Sequence, residues 1–173
     1  MKLNINSHSI PFGTDILKIE VPPALRKRHQ TGLHYVDGVM GGRGFTPSTV
    51  TLFTGEPGAG KTSMMLTLAD SITKKGGVCL FNTAEESLFQ TKMTADRLKL
   101  KNGFYTGNSN QVPEIIELAT AIQAKNPKKR MVLIVDSLQC LDDGKYSNGV
   151  ITSGTAIRAL QMITDFCKET NAI

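Results

Sequence analysis

The sequence predicts an α/β domain, a mainly parallel sheet flanked by helices, and three observations carry that prediction. The first is the octapeptide Gly55-Glu56-Pro57-Gly58-Ala59-Gly60-Lys61-Thr62, a complete Walker A phosphate-binding loop between a β-branched run and a helical one. The second is the alternation of short apolar runs with helical periodicity through the rest of the chain, the pattern of parallel strands joined by crossover helices. The third is the continuous apolar run Met131 to Val135, closed by Asp136, which reads as a Walker B strand covered on both faces.

Taken in order, residues 1–30 form an N-terminal arm broken by Pro11, Pro22 and Pro23. The arm ends in Arg26-Lys27-Arg28-His29, which is either a solvated charge run or a nucleic-acid contact. The core, 31–173, begins with a helical segment from Thr31 to Gly44, in which Leu33, Val36, Val39 and Met40 share a face and Gly41-Gly42 closes the run. Ser48 to Thr54 is predicted as the strand that feeds the phosphate loop. Behind the loop, Met64, Met65, Leu68, Ala69 and Ile72 recur at helical spacing until Lys74-Lys75-Gly76-Gly77. Val78 to Ala84 is a second apolar strand that runs into Glu85-Glu86-Ser87. A helix over Leu88–Leu100 is expected to turn Leu88, Met93, Ala95 and Leu98 inward, and a short strand follows at Gly103–Thr106. Val112-Pro113-Glu114 opens another helix, since proline suits a first turn, with Ile115, Ile116, Leu118, Ala119 and Ile122 as its apolar face. Asn126 to Arg130 is a turn, Asp142 to Gly149 a polar loop, and Ser153–Glu169 a last helix with Ile157, Leu160, Ile163 and Cys167 near one face.

Composition bounds the function. A chain of 173 residues, 40% hydrophobic and 20% charged, is ordinary for one soluble domain. No stretch approaches the apolar run of a membrane helix, and the first residues lack the apolar core of a signal peptide, so a cytoplasmic protein without a membrane partner is expected. Cys79, Cys140 and Cys167 are far apart with no Cys-x-x-Cys pair, which disfavours zinc and disulfides and suits small buried hydrophobes. The net charge of +5 and pI near 9.2 fit an anionic partner, although nucleotide alone accounts for part of that balance. With no Trp and 6% aromatic residues, a base-stacking platform is not expected, and any DNA contact would rest on phosphates and the Asp142–Gly149 loop.

The residue types specify phosphate chemistry. Gly55 and Gly60 allow the loop to curl so that successive N–H groups between Gly55 and Ser63, Pro57 having none, face phosphate oxygens, and the following helix adds its N-terminal dipole. Lys61 supplies a point charge for the β- and γ-phosphates of a nucleotide, and the Thr62 hydroxyl is a ligand for Mg²⁺. Asp136, at the end of its strand, is placed to hold the same ion partly through water. Glu85 and Glu86 follow the second strand, on the edge of the sheet where ligands bind in open α/β folds. A carboxylate there orients and polarises a water in line with the γ-phosphate; equally, both glutamates can simply begin the next helix.

The combined pattern resembles the RecA-like ATPases, and within them the RadA/Sms family, with KaiC-type ATPases next. Thr31-Gly32-Leu33 with Asp37 and Gly41-Gly42 looks like that family's leading Thr-Gly, Leu-Asp and paired-glycine segment. Asn82-Thr83-Ala84-Glu85-Glu86-Ser87 looks like its Ser-Gly-Glu-Glu-Ser, Arg97-Leu98 like its helical Arg-Leu, and Asp136-Ser137-Leu138-Gln139 like its Asp-Ser-Ile-Gln. Lys168-Glu169-Thr170-Asn171 resembles the Lys-Glu-Thr-Gly before its next strand. The resemblance implies a RecA-type fold, ATP and Mg²⁺, Glu85 as the water-activating residue with Glu86 second, and Gln139 as a γ-phosphate sensor or a plain surface residue. It also implies a DNA recombination or repair motor on single-stranded or branched DNA, assembled as a homo-oligomer, most simply a ring. Alternatives are a replicative-helicase-type or KaiC-like ATPase, or a nucleotide-gated binding module with little turnover. The chain departs from the family in having no four-cysteine zinc module and no Lys-Asn-Arg-Phe-Gly segment. It stops at Ile173, where the family's next core strand begins, so a C-terminally incomplete core is expected.

Overall fold

The sheet is built on β1 (Val78–Thr83), whose six residues are all buried, as a strand covered on both faces must be. The computed structural model describes residues 10–145 and 152–173. Residues 1–9 of the arm and 146–149 of the predicted polar loop therefore lie outside the described residues. β2 (Tyr105–Gly107) and β3 (Met131–Asp136) pair parallel to β1 on its two sides, giving the order β2-β1-β3. Leu80 stands opposite Tyr105 in one ladder and Leu133 in the other.

Successive side chains of a strand point to opposite faces, and here that alternation separates two cores. Val78, Leu80 and Met131 join α5 (Val112–Lys125) and α6 (Ser153–Thr170), through Ile115, Ala119, Ala159 and Ile163. Cys79, Phe81, Val132 and Ile134 face the other way and pack on α3 (Lys61–Lys74). The buried stripe of α3 is Met65, Leu66, Leu68, Ala69 and Ile72, the i, i+3, i+4, i+7 pattern of an amphipathic helix. Each Leu or Phe buried in this way stabilises the fold by roughly 1.5–3 kcal/mol.

Three helices turn differently from expectation, the first being the short one before the phosphate loop, where Val39 is 83% exposed and Val36 alone is buried. In α4 (Leu88–Arg97), Leu88 is exposed and Met93 is 71% exposed; the buried position is Thr91, with Leu98 packed just past the end. The helix starts at a capping box of Ser87 and Gln90. In α6, Ile157 is 69% exposed, and Ala159, Ile163, Phe166 and Cys167 carry the buried face. The segment from Thr31 is helical only over α2 (His34–Val39), after a four-residue turn of helix, α1, at Pro23–Arg26.

The largest departure is Ser48–Thr54. The composition is that of a strand, yet the segment enters no ladder and Leu52 is 64% exposed. Its start is tied to the chain's last residues: Ser48 N–H donates to Ala172 C=O at 2.8 Å, and Ser48 Oγ to Asn171 Oδ1 at 3.1 Å. Those last residues in turn lie on the free edge of β3, where Ile173 N–H donates to Met131 C=O and Leu133 N–H to Ile173 C=O. Residues 49–54 are thus held away from β3, and a cavity of about 890 Å³ lies between them, lined by Val50, Leu52 and Phe53 on one side and Val132, Ile134 and Ile163 on the other. A strand is defined by its neighbour, so propensity alone does not produce one here.

The leading Thr31-Gly32 motif has a structural job. The Asp37 carboxylate accepts from Thr31 N–H and Oγ1, both at 2.9 Å, and from Gly32 N–H at 3.2 Å. Ser71 of α3 donates to Thr31 C=O at 2.7 Å, which fastens this turn to the phosphate-loop helix. Gly32 has φ +82°, a left-handed conformation that strains any other residue, and so favours glycine.

Candidate nucleotide-binding site

The phosphate loop runs from Gly55 to Gly60 and passes directly into α3. Gly58 and Gly60 take positive φ values of 78° and 82°, while Gly55 does not, so the curl resides in the second half of the loop. Gly60 is the N-cap of α3 in the left-handed conformation, with no side-chain cap. The N–H groups of the first turn are therefore left for an anion, and the helix dipole favours one. Lys61 folds back over its own loop, donating to the carbonyls of Gly55 at 2.9 Å and Glu56 at 3.0 Å. Gly55, Pro57, Gly58, Gly60, Lys61, Thr62 and Ser63 all border the same cavity; Glu56 and Ala59 complete the loop through the 3.1 Å bond from Ala59 N–H to Glu56 C=O.

Across the cavity stands the end of β3. Thr62 Oγ1 donates to Asp136 Oδ2 at 2.6 Å, which joins the two residues expected to hold Mg²⁺. Their hard oxygen donors suit that ion, which is usually bound by one or two carboxylates together with substrate phosphates and water. Among the described residues, no group of three or more His, Cys, Asp or Glu side chains gathers as a metal cage.

Glu85 and Glu86 part company. Glu85 is exposed, lines the cavity, and its Oε1 accepts from Ser137 Oγ and from Gln139 Nε2 at 3.2 Å. Glu86 is held by its backbone: its N–H donates to Thr83 Oγ1 at 3.0 Å, and its carbonyl accepts from Asn108 Nδ2 at 3.0 Å. It does not line the cavity. Gln139 thus meets Glu85 directly in this structure. Cys140 is half-buried beside the pair rather than in a core, and burial, with the Glu85 and Asp136 charges, pushes its thiol up. Burial also raises Cys79 and Cys167, the latter to about 11, as apolar positions require.

Two residues near the site had no role assigned from the sequence. Ser137 follows the Walker B aspartate, and that adjacency was the available signal. Arg97, at the end of α4, donates to Ser63 Oγ at 3.2 Å, bringing a cation to the first turn of α3 across 34 positions of sequence. Of the basic runs, Arg28 donates to Met40 C=O at 2.8 Å and Arg130 to Asn171 C=O at 2.7 Å, so both hold the fold; Arg26, Lys27, Lys128 and Lys129 are exposed. No helix among the described residues is long and apolar enough to cross a membrane.

No family model matches the sequence. Individual proteins do. DNA repair protein RadA of Campylobacter jejuni is 33% identical over 137 residues, 79% of this chain and 28% of the relative. DNA repair protein RadA of Aquifex aeolicus is 30% identical over 145 residues, 84% of this chain and 31% of the relative. The chain therefore spans under a third of the length of these curated relatives. Among solved structures, one ATPase domain superposes with a TM-score of 0.69 at 15% identity, over 83% of this chain and 61% of that one. A DnaB-like replicative helicase superposes with a TM-score of 0.67 at 15% identity, over 84% of this chain and 41% of the helicase. At such identity the structural likeness concerns the fold, and the sequence likeness carries the rest: this chain belongs with the RecA-like P-loop ATPases and, among them, is similar over most of its length to DNA repair protein RadA.

Proposed function

We propose that the chain is the ATP-binding and ATP-hydrolysing core of a RadA-like DNA repair or recombination motor. It acts on single-stranded or branched DNA in the cytoplasm, as a homo-oligomer and most simply a ring. The observation that carries this reading is the 2.6 Å bond between Thr62 and Asp136, with Glu85 on the wall of the same cavity. Loop, metal ligands and a candidate base converge there from three separate elements.

The residues divide the work of phosphoryl transfer to water. The N–H groups from Gly58 to Ser63 and the α3 dipole bind the phosphates, and Lys61 leaves its two carbonyl partners to meet the β- and γ-oxygens. Thr62 and Asp136 hold Mg²⁺, which when bound neutralises charge on those oxygens. Glu85 orients the attacking water and takes its proton. Exposed Arg26, Lys27, Lys128 and Lys129 supply phosphate contacts to DNA that position without reading sequence.

Hydrolysis of Mg·ATP, followed with and without single-stranded and branched DNA, tests the proposal. Stimulation by DNA is expected. Equal rates in all conditions would sink the motor reading, and tight ATP binding without turnover would leave a nucleotide-gated binding module. A replicative-helicase-type motor is the second reading, favoured by the fold likeness to a DnaB-like replicative helicase. Strand displacement on a forked duplex, with clear polarity, separates it from a repair motor.

A further inference from the structure

We infer that Ser137 and Gln139 are positioning residues for Glu85: by donating to Oε1 they leave Oε2 as the oxygen that takes the proton of the attacking water. The inference rests on the reading of Glu85 as the base. Three donors converge on one carboxylate oxygen, Ser137 Oγ, Gln139 Nε2 at 3.2 Å and Cys140 Sγ at 3.6 Å, and among the described residues none meets Oε2. Such an asymmetry divides the carboxylate into a held oxygen and a free one.

The donors sit on a rigid support. All three belong to the turn directly after β3, which closes through Cys140 N–H to Ser137 C=O and Leu141 N–H to Leu138 C=O, both at 3.2 Å. Leu141 is fully buried in the α5/α6 core and Leu138 packs against it. Glu85, in contrast, is exposed and lies in the turn between β1 and α4. An exposed glutamate left alone populates several rotamers, and ordering it costs conformational entropy. Two hydrogen bonds from an anchored turn set that cost aside before substrate arrives, and they place the carboxylate beside the Walker B aspartate.

The chemical step then balances. The water oxygen forms a bond to the γ-phosphorus, the bond from that phosphorus to the β,γ-bridging oxygen breaks, and its electron pair leaves with ADP. The water proton passes to Glu85 Oε2, while Oε1 stays bonded to Ser137 and Gln139.

Single-turnover hydrolysis and nucleotide affinity, measured on the same preparations, test the assignment. Ser137→Ala and Gln139→Leu are each expected to lower the hydrolysis rate by roughly 10- to 100-fold, the cost of a slightly misplaced catalytic group, with ATP affinity unchanged. Retained affinity also shows that the variants fold. Ser137→Thr, which keeps the hydroxyl, restores most of the rate. Placed on a Glu85→Gln background, neither substitution lowers the rate further, since both act through the same carboxylate. Unchanged rates in both single variants, or full additivity with Glu85→Gln, overturn the inference while leaving Glu85 as the base. Wild-type turnover by Glu85→Gln itself overturns the base assignment, and the inference with it.

Discussion

Lys61 contacts only loop carbonyls in this structure, and it is half-exposed. Removing its amine therefore deletes a phosphate partner without opening a core. Lys61→Ala is expected to bind ATP weakly and hydrolyse none measurably, with an unchanged circular dichroism spectrum; unaltered ATP affinity would contradict the phosphate-loop assignment. Glu85→Gln is expected to retain ATP and lose roughly 10²–10⁴-fold in the chemical step, while Glu86→Gln costs less because Glu86, unlike Glu85, does not line the cavity. A reversed order of severity transfers the base to Glu86. His29 sets a separate, pH-dependent expectation. Its Nε2 is buried without a hydrogen-bond partner among the described residues, and burial and the Arg130 charge lower its pKa from 6.5, against a smaller opposing effect of Asp37. The unfolded chain thus binds a proton there more readily than the folded one, so this contribution to stability is present above about pH 6.5 and is lost as pH falls below it. A thermal melt series from pH 8 to 5 in wild type and His29→Phe checks this, the variant showing the shallower decline.

Among the elements, α3 bears both the phosphate site and a core face, and the two are separable. Ile72 is fully buried against the β1–β3 sheet, two turns or more from the loop. Ile72→Ala is expected to destabilise the fold by about 2–5 kcal/mol through lost burial and a cavity, with nucleotide affinity intact in the molecules that remain folded. Chemical denaturation with and without ATP reads both quantities. The unpaired segment before the loop makes an opposite prediction. Leu80 to Asn82 lie in a double ladder, whereas residues 50–54 line the cavity and enter no ladder. Hydrogen exchange should be orders of magnitude faster in the second group, approaching local-opening rates. Equal protection would show that residues 50–54 are paired in solution.

At the scale of the whole molecule, a net charge of +5 is distributed unevenly in its availability. Arg28 and Arg130 bond to backbone carbonyls, so in the proposed function exposed residues such as Lys128 and Lys129 supply the phosphate contacts to DNA. Binding to single-stranded DNA is expected to weaken steeply with salt, with a log–log slope near about −0.7 for each phosphate neutralised. Lys128→Ala with Lys129→Ala should lower affinity for every sequence alike and flatten that slope; a change in sequence preference instead would point to base contacts elsewhere.

What the sequence determined by itself was whatever depends on short range. The phosphate loop, the helix behind it, β1, β3 and the carboxylates at their ends follow from backbone freedom, periodicity and β-branching within a few residues of each other. The inner face of α3, and that of α5 apart from Leu118, which is 39% exposed, were legible for the same reason. Tertiary structure decided three things that no local pattern carries. Ser48–Thr54 has a strand's composition and no strand's partner, because residues 171–173 lie between its start and β3. Which sides of α4 and α6 met the core was decided by packing, and Met93 and Ile157 were left in solvent. The surroundings of Glu85 were invisible in the sequence, since Ser137 and Gln139 stand 52 and 54 positions away and reach it only because β1 and β3 are adjacent and in register. Dihedral preference and hydrophobic period are encoded residue by residue, whereas a hydrogen bond between two strand ends exists only once the sheet has formed.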